Sequence, residues 1–153
     1  MLMSRKAKPI REGFDTVTPY IVADDAKTII AFMQKAFGAK LDHPPTMRPD
    51  GKIMHALMRI GSSRVMIADS SDRAMASPVM LYVYVPDVDA VYQSAIAAGG
   101  TSIMEPSDMF YGDRSGGVTD IAGNQWFIGT RIEDIAPEEL QKRADIMFKD
   151  NAA

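Results

Sequence analysis

The stretch Tyr111–Gly129, "YGDRSGGVTDIAGNQWFIG", reads as a hairpin. One strand runs Arg114–Thr119 and a second Gln125–Gly129, joined around Gly123-Asn124, a pair suited to a tight turn between alternating segments. Asp113-Arg114 stand where the hairpin begins, and the aromatic pair Trp126-Phe127 follows the turn. The same plan occurs upstream in "GKIMHALMRIGSSRVMIAD", where strands Lys52–Ile60 and Arg64–Ala68 flank Gly61-Ser62. Gly61 and Gly123 are 62 positions apart.

That spacing extends outward. "TVTPYIVADDAKTIIAFMQKAFGAKL" predicts a strand Thr16–Val22, a turn at Ala23-Asp24 and a helix from about Asp25 to Phe37. Asp24 or Asp25 supplies its N-cap, one stripe carries Ile29, Ile30, Phe32, Met33, Ala36 and Phe37, and Gly38 stops it. "VMLYVYVPDVDAVYQSAIAAGGTSI" repeats the unit as strand Val79–Val85, cap Asp87, helix Val88–Ala98 and stop Gly99-Gly100. Asp25 and Asp87, like Gly38 and Gly100, again differ by 62. Short strands near Lys40–Asp42 and at Thr101–Met104 fill the remaining slot in each half. The fold class expected is α+β, two copies of a βαβββ module.

The expected organisation is a flexible N-terminal arm over residues 1–13 and a two-module domain over 14–130, with modules at 14–69 and 77–130. An amphipathic helical tail follows over 131–153. Pro137 followed by Glu138-Glu139 marks the tail helix start, and Leu140, Ala144 and Ile146-Met147 form its stripe, to pack on its own domain or on a second subunit.

With 153 residues and 46% of them hydrophobic, the chain can bury the core of one compact domain. A formal charge of -3 offers no basic face to nucleic acid, and no apolar run reaches the roughly 20 residues of a membrane span. Zero cysteines exclude disulfides, thiolate metal sites and a cysteine nucleophile. The basic N-terminus lacks an apolar h-region, which favours the cytoplasm. The 12 methionines are read first as core filler and second as lining of an adaptable pocket.

The four quoted segments, followed by "IEDIAPEEL", resemble the vicinal oxygen chelate superfamily of glyoxalase I, bleomycin-resistance proteins and extradiol dioxygenases, and within it the PhnB-like branch. The resemblance covers nearly everything from Thr16 to Leu140. It implies paired βαβββ modules whose mixed sheets curve into a cleft, commonly in a homodimer. Some relatives are described as demethylubiquinone methyltransferases, but this sequence holds no glycine-rich nucleotide loop for a methyl donor.

Metal-dependent members of that superfamily place His, Glu, His and Glu on cleft-facing strand positions, where a divalent ion acts as a Lewis acid. The matching positions fall on Thr18, on Met80 62 residues later, on Val65 or Ile67, and on Phe127. None is an imidazole or a carboxylate, so no metal ligands are assigned and no cofactor is expected. A metal held by His55 with Asp113 or Glu105 rests on no spacing argument. His43 sits in a proline-rich loop and reads as a surface residue. His55 reads either as a half-buried histidine satisfied by a neighbour or as a cleft group able to act as general base, and it is the candidate catalytic residue.

Strand alternation then assigns faces. If Thr18 and Met80 face the cleft, so do Thr16, Tyr20, Tyr82 and Tyr84, while Val17, Ile21, Leu81, Val83 and Val85 turn to the helices. By the same parity Val65, Ile67, Gln125 and Phe127 face the cleft, and Trp126 belongs to the core. The candidate ligand-binding set is Thr18, Tyr20, His55, Ile67, Met80, Tyr82, Tyr84, Tyr111, Asp113, Arg114, Gln125 and Phe127. Asp113-Arg114 reads either as an ion pair that pins the last hairpin or as an Arg114 fork offered to a ligand carboxylate or phosphate. Gly116-Gly117 allow a bend or a close backbone approach, Asn124 suits the positive φ of a tight turn, and Asp120 reads as a solvated turn residue.

Three functions fit these residues. One is binding of a small, partly aromatic or apolar molecule in a metal-free cleft. The second is a lyase, isomerase or dioxygenase-like enzyme with rearranged ligands, in which His55 and an acidic residue converge. The third is a dimerisation module with a vestigial cleft.

Overall fold

The computed structural model describes residues 6–151, which form nine strands and three helices in two mixed sheets. The chain divides into two compact units, one ending at Pro78 and one beginning at Val79. The first contains β1 (Tyr20–Ala23), α1 (Ala26–Phe37), β2 (Lys40–Leu41), β3 (Thr46–Met47), β4 (Ile53–Ile60) and β5 (Ser63–Asp69). The second contains β6 (Met80–Tyr84), α2 (Val88–Ala97), β7 (Thr101–Asp108), β8 (Asp113–Thr119), β9 (Gln125–Arg131) and α3 (Pro137–Asn151). This is the expected βαβββ plan twice over, with β3 as an additional short strand.

In the first unit the strands lie in the order β1-β5-β4-β2, with β3 also paired to β4. In the second the order is β6-β9-β8-β7. Each unit thus pairs its first and last strands in parallel, β1 with β5 and β6 with β9. Both crossover helices begin at the expected caps: Asp25 accepts from the Thr28 amide and Asp87 from the Ala90 amide. α1 ends at Gly38 in the left-handed conformation (φ 64°), which glycine adopts without steric penalty. Its Ile29, Met33 and Ala36 are buried with Ile21, Ala56, Met58 and Ile67 of the sheet. α2 packs on β7, β8 and β9 and buries Val88, Tyr92 and Ala95, with Val118, Trp126 and Ile128 in the same core.

The first strand begins later than expected. Pro19 lacks an amide for the ladder, β1 starts only at Tyr20, and Val17 is 82% exposed rather than turned to the helix. Thr18 lies ahead of the strand, half-buried.

The 62-residue repeat also drifts. It holds for the first strands and the helices, but Tyr20 pairs with Met66 while Tyr82 pairs with Phe127, so the last strands correspond at 61 positions. The hairpins are not the cause, since the loop Asp120–Asn124 is longer than the two-residue turn at Gly61-Ser62; Leu57 and Gly117, the partners of Met66 and Phe127, stand 60 apart, so positions are lost between each helix and the strand that enters its hairpin. A one-residue change exchanges the faces of a strand. Val65 and Ile67 therefore occupy the helix side, 4% and 0% exposed, with Ile67 beside Ile21. Met66 and Ala68 take the open face instead.

Asp120 is a second correction. It is 5% exposed, and it accepts from the amides of Ala122 (2.9 Å) and Asn124 (3.0 Å), from Asn124 Nδ2 (2.9 Å) and from Trp126 Nε1 (2.8 Å). Asn124 has no positive φ; Gly123 takes that conformation (φ 86°), while Asn124 Oδ1 accepts from the Val79 amide at 3.0 Å. Trp126 is fully buried, as its parity requires. Asp120→Ala strips these donors of their shared acceptor, and buried unsatisfied donors cost about 1–3 kcal/mol each. The expected loss in urea unfolding is about 3 kcal/mol or more, with a smaller loss for Asp120→Asn, which keeps one acceptor oxygen.

Candidate functional site

The open face of the second unit is built by parity. In β6, Met80, Tyr82 and Tyr84 are 65%, 41% and 64% exposed, while Leu81 and Val83 between them are more covered. The parallel register places Gln125 beside Met80 and Phe127 beside Tyr82 on the same face. From β8, Asp113, Ser115 and Gly117 join them, opposite Arg131, Gly129 and Phe127. Two glycines permit close layering. The Phe127 ring lies over Gly117, where an added Cβ would stand 3.0 Å from Cε1, and the Tyr82 ring lies over Gly129.

Asp113 anchors this surface. It is 2% exposed, and its Oδ2 accepts from Tyr82 (2.8 Å) and Tyr84 (2.9 Å) while Arg131 reaches Oδ1 at 3.3 Å. The paired phenols tilt together with ring centroids 5.1 Å apart. Burial pushes the Tyr82 phenol far up; Ser115 opposes it, and the Asp113 carboxylate and Tyr111 add to the rise. The bond to Asp113 raises that of Tyr84. Both stay protonated donors through the physiological range. Tyr111 stands beside the cluster: its carbonyl accepts from Arg131 at 3.0 Å and its ring meets Phe110 edge-on.

Arg114 is placed elsewhere. Neighbours on a strand point to opposite faces, so it does not pair with Asp113. Its Nε and Nη2 grip Asp89 of α2 at 2.8 and 2.9 Å, and Nη1 reaches Asp108 at 3.1 Å. A guanidinium so engaged pins helix to hairpin and has little of its fork left for a ligand.

In the first unit a bulge in the pairing of β3 with β4 falls at Met54, between the partners of Thr46 and Met47, and breaks the expected alternation. Ile53 is buried, whereas Met54 is exposed and borders a hollow of about 430 Å³ with Tyr20, Val22, Ala68 and Arg48. His55 is half-buried, its ring edge-on to Tyr20 at 5.9 Å. Burial, then the charges of His43 and Arg11, lower its pKa, so it is a neutral imidazole at pH 7. The groups that shift it are basic; none is a carboxylate. Among the described residues no three His, Cys, Asp or Glu side chains come together as a metal-binding cluster. With the corrected register the end-strand positions carry Met66 or Ala68, again without a hard ligand. Sequence reasoning passed over Met66, Ser115 and Arg131; the first needed the strand register, and the others follow once Asp113 is known to be buried.

The family model of the Glyoxalase/Bleomycin resistance protein/Dioxygenase superfamily matches residues 13–128. The chain belongs to this superfamily. The uncharacterized protein Mb0911c of Mycobacterium bovis is 36% identical over 137 residues, 82% of this chain and 89% of that one. Two solved structures share the fold: TioX from Micromonospora (TM-score 0.64, 22% identity, covering 77% of this chain and 99% of that one) and the PhnB protein from Bacillus cereus (TM-score 0.61, 18% identity, covering 76% and 99%). No helix among the described residues is long and apolar enough to cross a membrane.

Arg114→Leu is expected to release Asp89. The hydrogen bonds from Arg114 hold that carboxyl below its ordinary value, so its titration, followed by NMR, should move up in the variant. In the wild type this pair stabilises the fold above the unfolded carboxylate range, and the contribution is lost as pH falls through the depressed value.

His55 acts in the same direction at a higher pH. Its folded pKa is lowered, so the unfolded state takes up the proton first and stability falls as pH drops below about 6.5. His55→Gln should flatten this part of a stability–pH profile; an unchanged slope would assign it to other groups.

Proposed function

We propose that the protein binds a small, partly aromatic or apolar molecule on an open sheet face, without a resident metal ion. The observation that carries this reading is the row Met80, Tyr82 and Tyr84, solvent-facing yet tied through two phenols to one buried carboxylate. Exposed aromatic surface that is oriented by hydrogen bonds offers contact area at reduced ordering cost, which is how binding surfaces are made. Thr18, Met80 and Phe127, with Met66 or Ala68, supply no hard ligand at the positions where metal-dependent relatives carry theirs. TioX and the PhnB protein support the fold of this reading and not its ligand. A homodimer belongs to the same reading, and the exposed Ile146, Met147 and Phe148 of α3 offer it apolar surface.

The enzymatic reading draws on His55 alone, a neutral imidazole beside Tyr20 that can accept a proton. It lacks a carboxylate to orient that ring. The deciding measurement is metal content per chain after incubation with nickel, zinc, manganese and iron(II), followed by a thermal-shift screen of aromatic compounds. Near-zero metal in the wild type and in His55→Ala, with stabilisation by aromatic ligands, is the expected outcome. One tightly held ion per chain that His55→Ala removes would overturn the metal-free reading and promote the enzyme.

A further inference from the structure

On the second unit's open face, one side chain occupies a seat that it fills imperfectly. A Cβ built on Gly129 would lie 2.7 Å from Tyr82 Cε1 and 2.8 Å from Cζ, so the phenol ring rests directly on the Gly129 backbone. Across the strands from Gly129 stands Ser115. Its hydroxyl is buried and makes no hydrogen bond of proper geometry, although it approaches the Tyr82 phenol closely enough to favour the ionised form. Asp113 closes the end of the seat by accepting the Tyr82 proton at 2.8 Å.

Buried hydroxyls as a rule find partners, and the exceptions need a cause. Here the cause is the tether: the Tyr82 oxygen is placed by its side chain from β6 and by its bond to Asp113, and it approaches Ser115 without the geometry of a hydrogen bond. The ring is held by that one bond to Asp113 and by its contact with Tyr84. Tyr82 is 41% exposed and can leave by side-chain rotation with β6 unmoved. When it leaves, Asp113 keeps Tyr84 at 2.9 Å and Arg131 at 3.3 Å, so the buried carboxylate is not orphaned.

We propose that Tyr82 is a displaceable occupant of a ligand seat floored by Gly129 and Ser115 and closed by Asp113, and that this seat takes a neutral phenol or similar aromatic alcohol. The proposal rests on the binding reading above and narrows its ligand to a flat ring carrying one hydroxyl. An untethered phenol donates to Asp113 and accepts from Ser115 at once, a pairing that the Tyr82 side chain does not make. A carboxylate or phosphate is disfavoured, because Asp113 would face it with like charge. A simple aromatic hydrocarbon fits the ring position but leaves Ser115 unpaired and removes a donor from Asp113.

The test is ligand-observed NMR titration of p-cresol and of toluene against the full chain, its Tyr82→Ala variant, and Tyr82→Ala combined with Ser115→Ala. The wild type should bind p-cresol weakly but saturably, because its own phenol competes. Tyr82→Ala should bind at least about tenfold tighter, since removing a competing state raises apparent affinity. Adding Ser115→Ala should lower that affinity about threefold or more, as expected for one lost hydrogen bond, and toluene should bind more weakly than p-cresol throughout. Equal binding of toluene, a folded Tyr82→Ala with no gain, or a wild type with no saturable binding would each overturn the proposal. If Tyr82→Ala does not fold, Gly129→Ala decides, because its Cβ fills the floor: p-cresol binding should disappear, and unchanged affinity overturns the seat. A screened aromatic ligand whose affinity ignores both Tyr82 and Gly129 leaves the general binding reading standing and removes this one.

Discussion

The buried carboxylate of Asp120 decides which residues of the second sheet meet solvent. It gathers two backbone amides, the Asn124 side chain and the Trp126 indole N–H. Asn124 in turn holds the Val79 amide, and the Gln125 amide donates to the Val79 carbonyl at 2.8 Å. The start of β6 is thereby fixed to the start of β9, and the pairing of Met80 with Gln125 follows. Beyond that pair, parity alone sends Trp126 and Ile128 to the helix side and keeps Phe127 with Tyr82. A slip of one residue would expose the indole and bury Phe127. The aromatic face is thus a consequence of a turn residue on the far side of the ladder.

The two units solve one problem with different chemistry. Each crossover helix starts beside the end of its unit's last strand, and its first amide needs an acceptor. In the first unit Asp69 accepts from the Ala26 amide at 2.8 Å and from the Ile53 amide at 2.6 Å. In the second Thr130 takes the same place: its hydroxyl accepts from the Val88 amide at 2.9 Å and donates to the Val85 carbonyl at 2.7 Å. A carboxylate at a helix start is favoured by the helix dipole, whereas a hydroxyl satisfies the amide without placing a charge there. The second unit instead buries a carboxylate on its open face, Asp113, which Arg131, one residue beyond Thr130, meets across the strands. The repeat therefore preserves backbone geometry while moving charge from the helix side to the open face.

Local signals explain why the architecture was legible. Asp25, Gly38 and Asp87 act at the positions their chemistry demands, and both helices lie within one or two residues of the expected bounds. What the sequence does not disclose depends on the lengths of the connections between elements. A constant spacing of 62 carries Phe127 onto Val65, but the stretch between helix and hairpin is shorter in the second unit by more than its longer hairpin loop restores, and the face assignment of Val65 and Ile67 reverses. The bulge at Met54 and the late start of β1 after Pro19 are similar events, each a backbone irregularity that period-2 counting averages over. Asp120 was misread for another reason. An aspartate in a Gly-Asn turn is ordinarily solvated, and its burial follows only from the indole N–H that Trp126 brings inward.

The chemistry of the open face is set by how the donors and acceptors around Asp113 are spent. Its two oxygens already serve Tyr82, Tyr84 and Arg131. The phenols direct their protons inward and are held neutral, Tyr82 chiefly by burial and Tyr84 chiefly by its bond to Asp113. Toward solvent they show ring faces and acceptor lone pairs. A hard cation approaching this face would have to strip three donors from the carboxylate and sit beside a guanidinium, an exchange with no Coulombic advantage. A neutral aromatic guest meets no such conflict, because it trades one ring and one hydroxyl for another of the same kind. On the proposed reading, the fully partnered carboxylate would disfavour ions and favour guests that resemble the partners it already has.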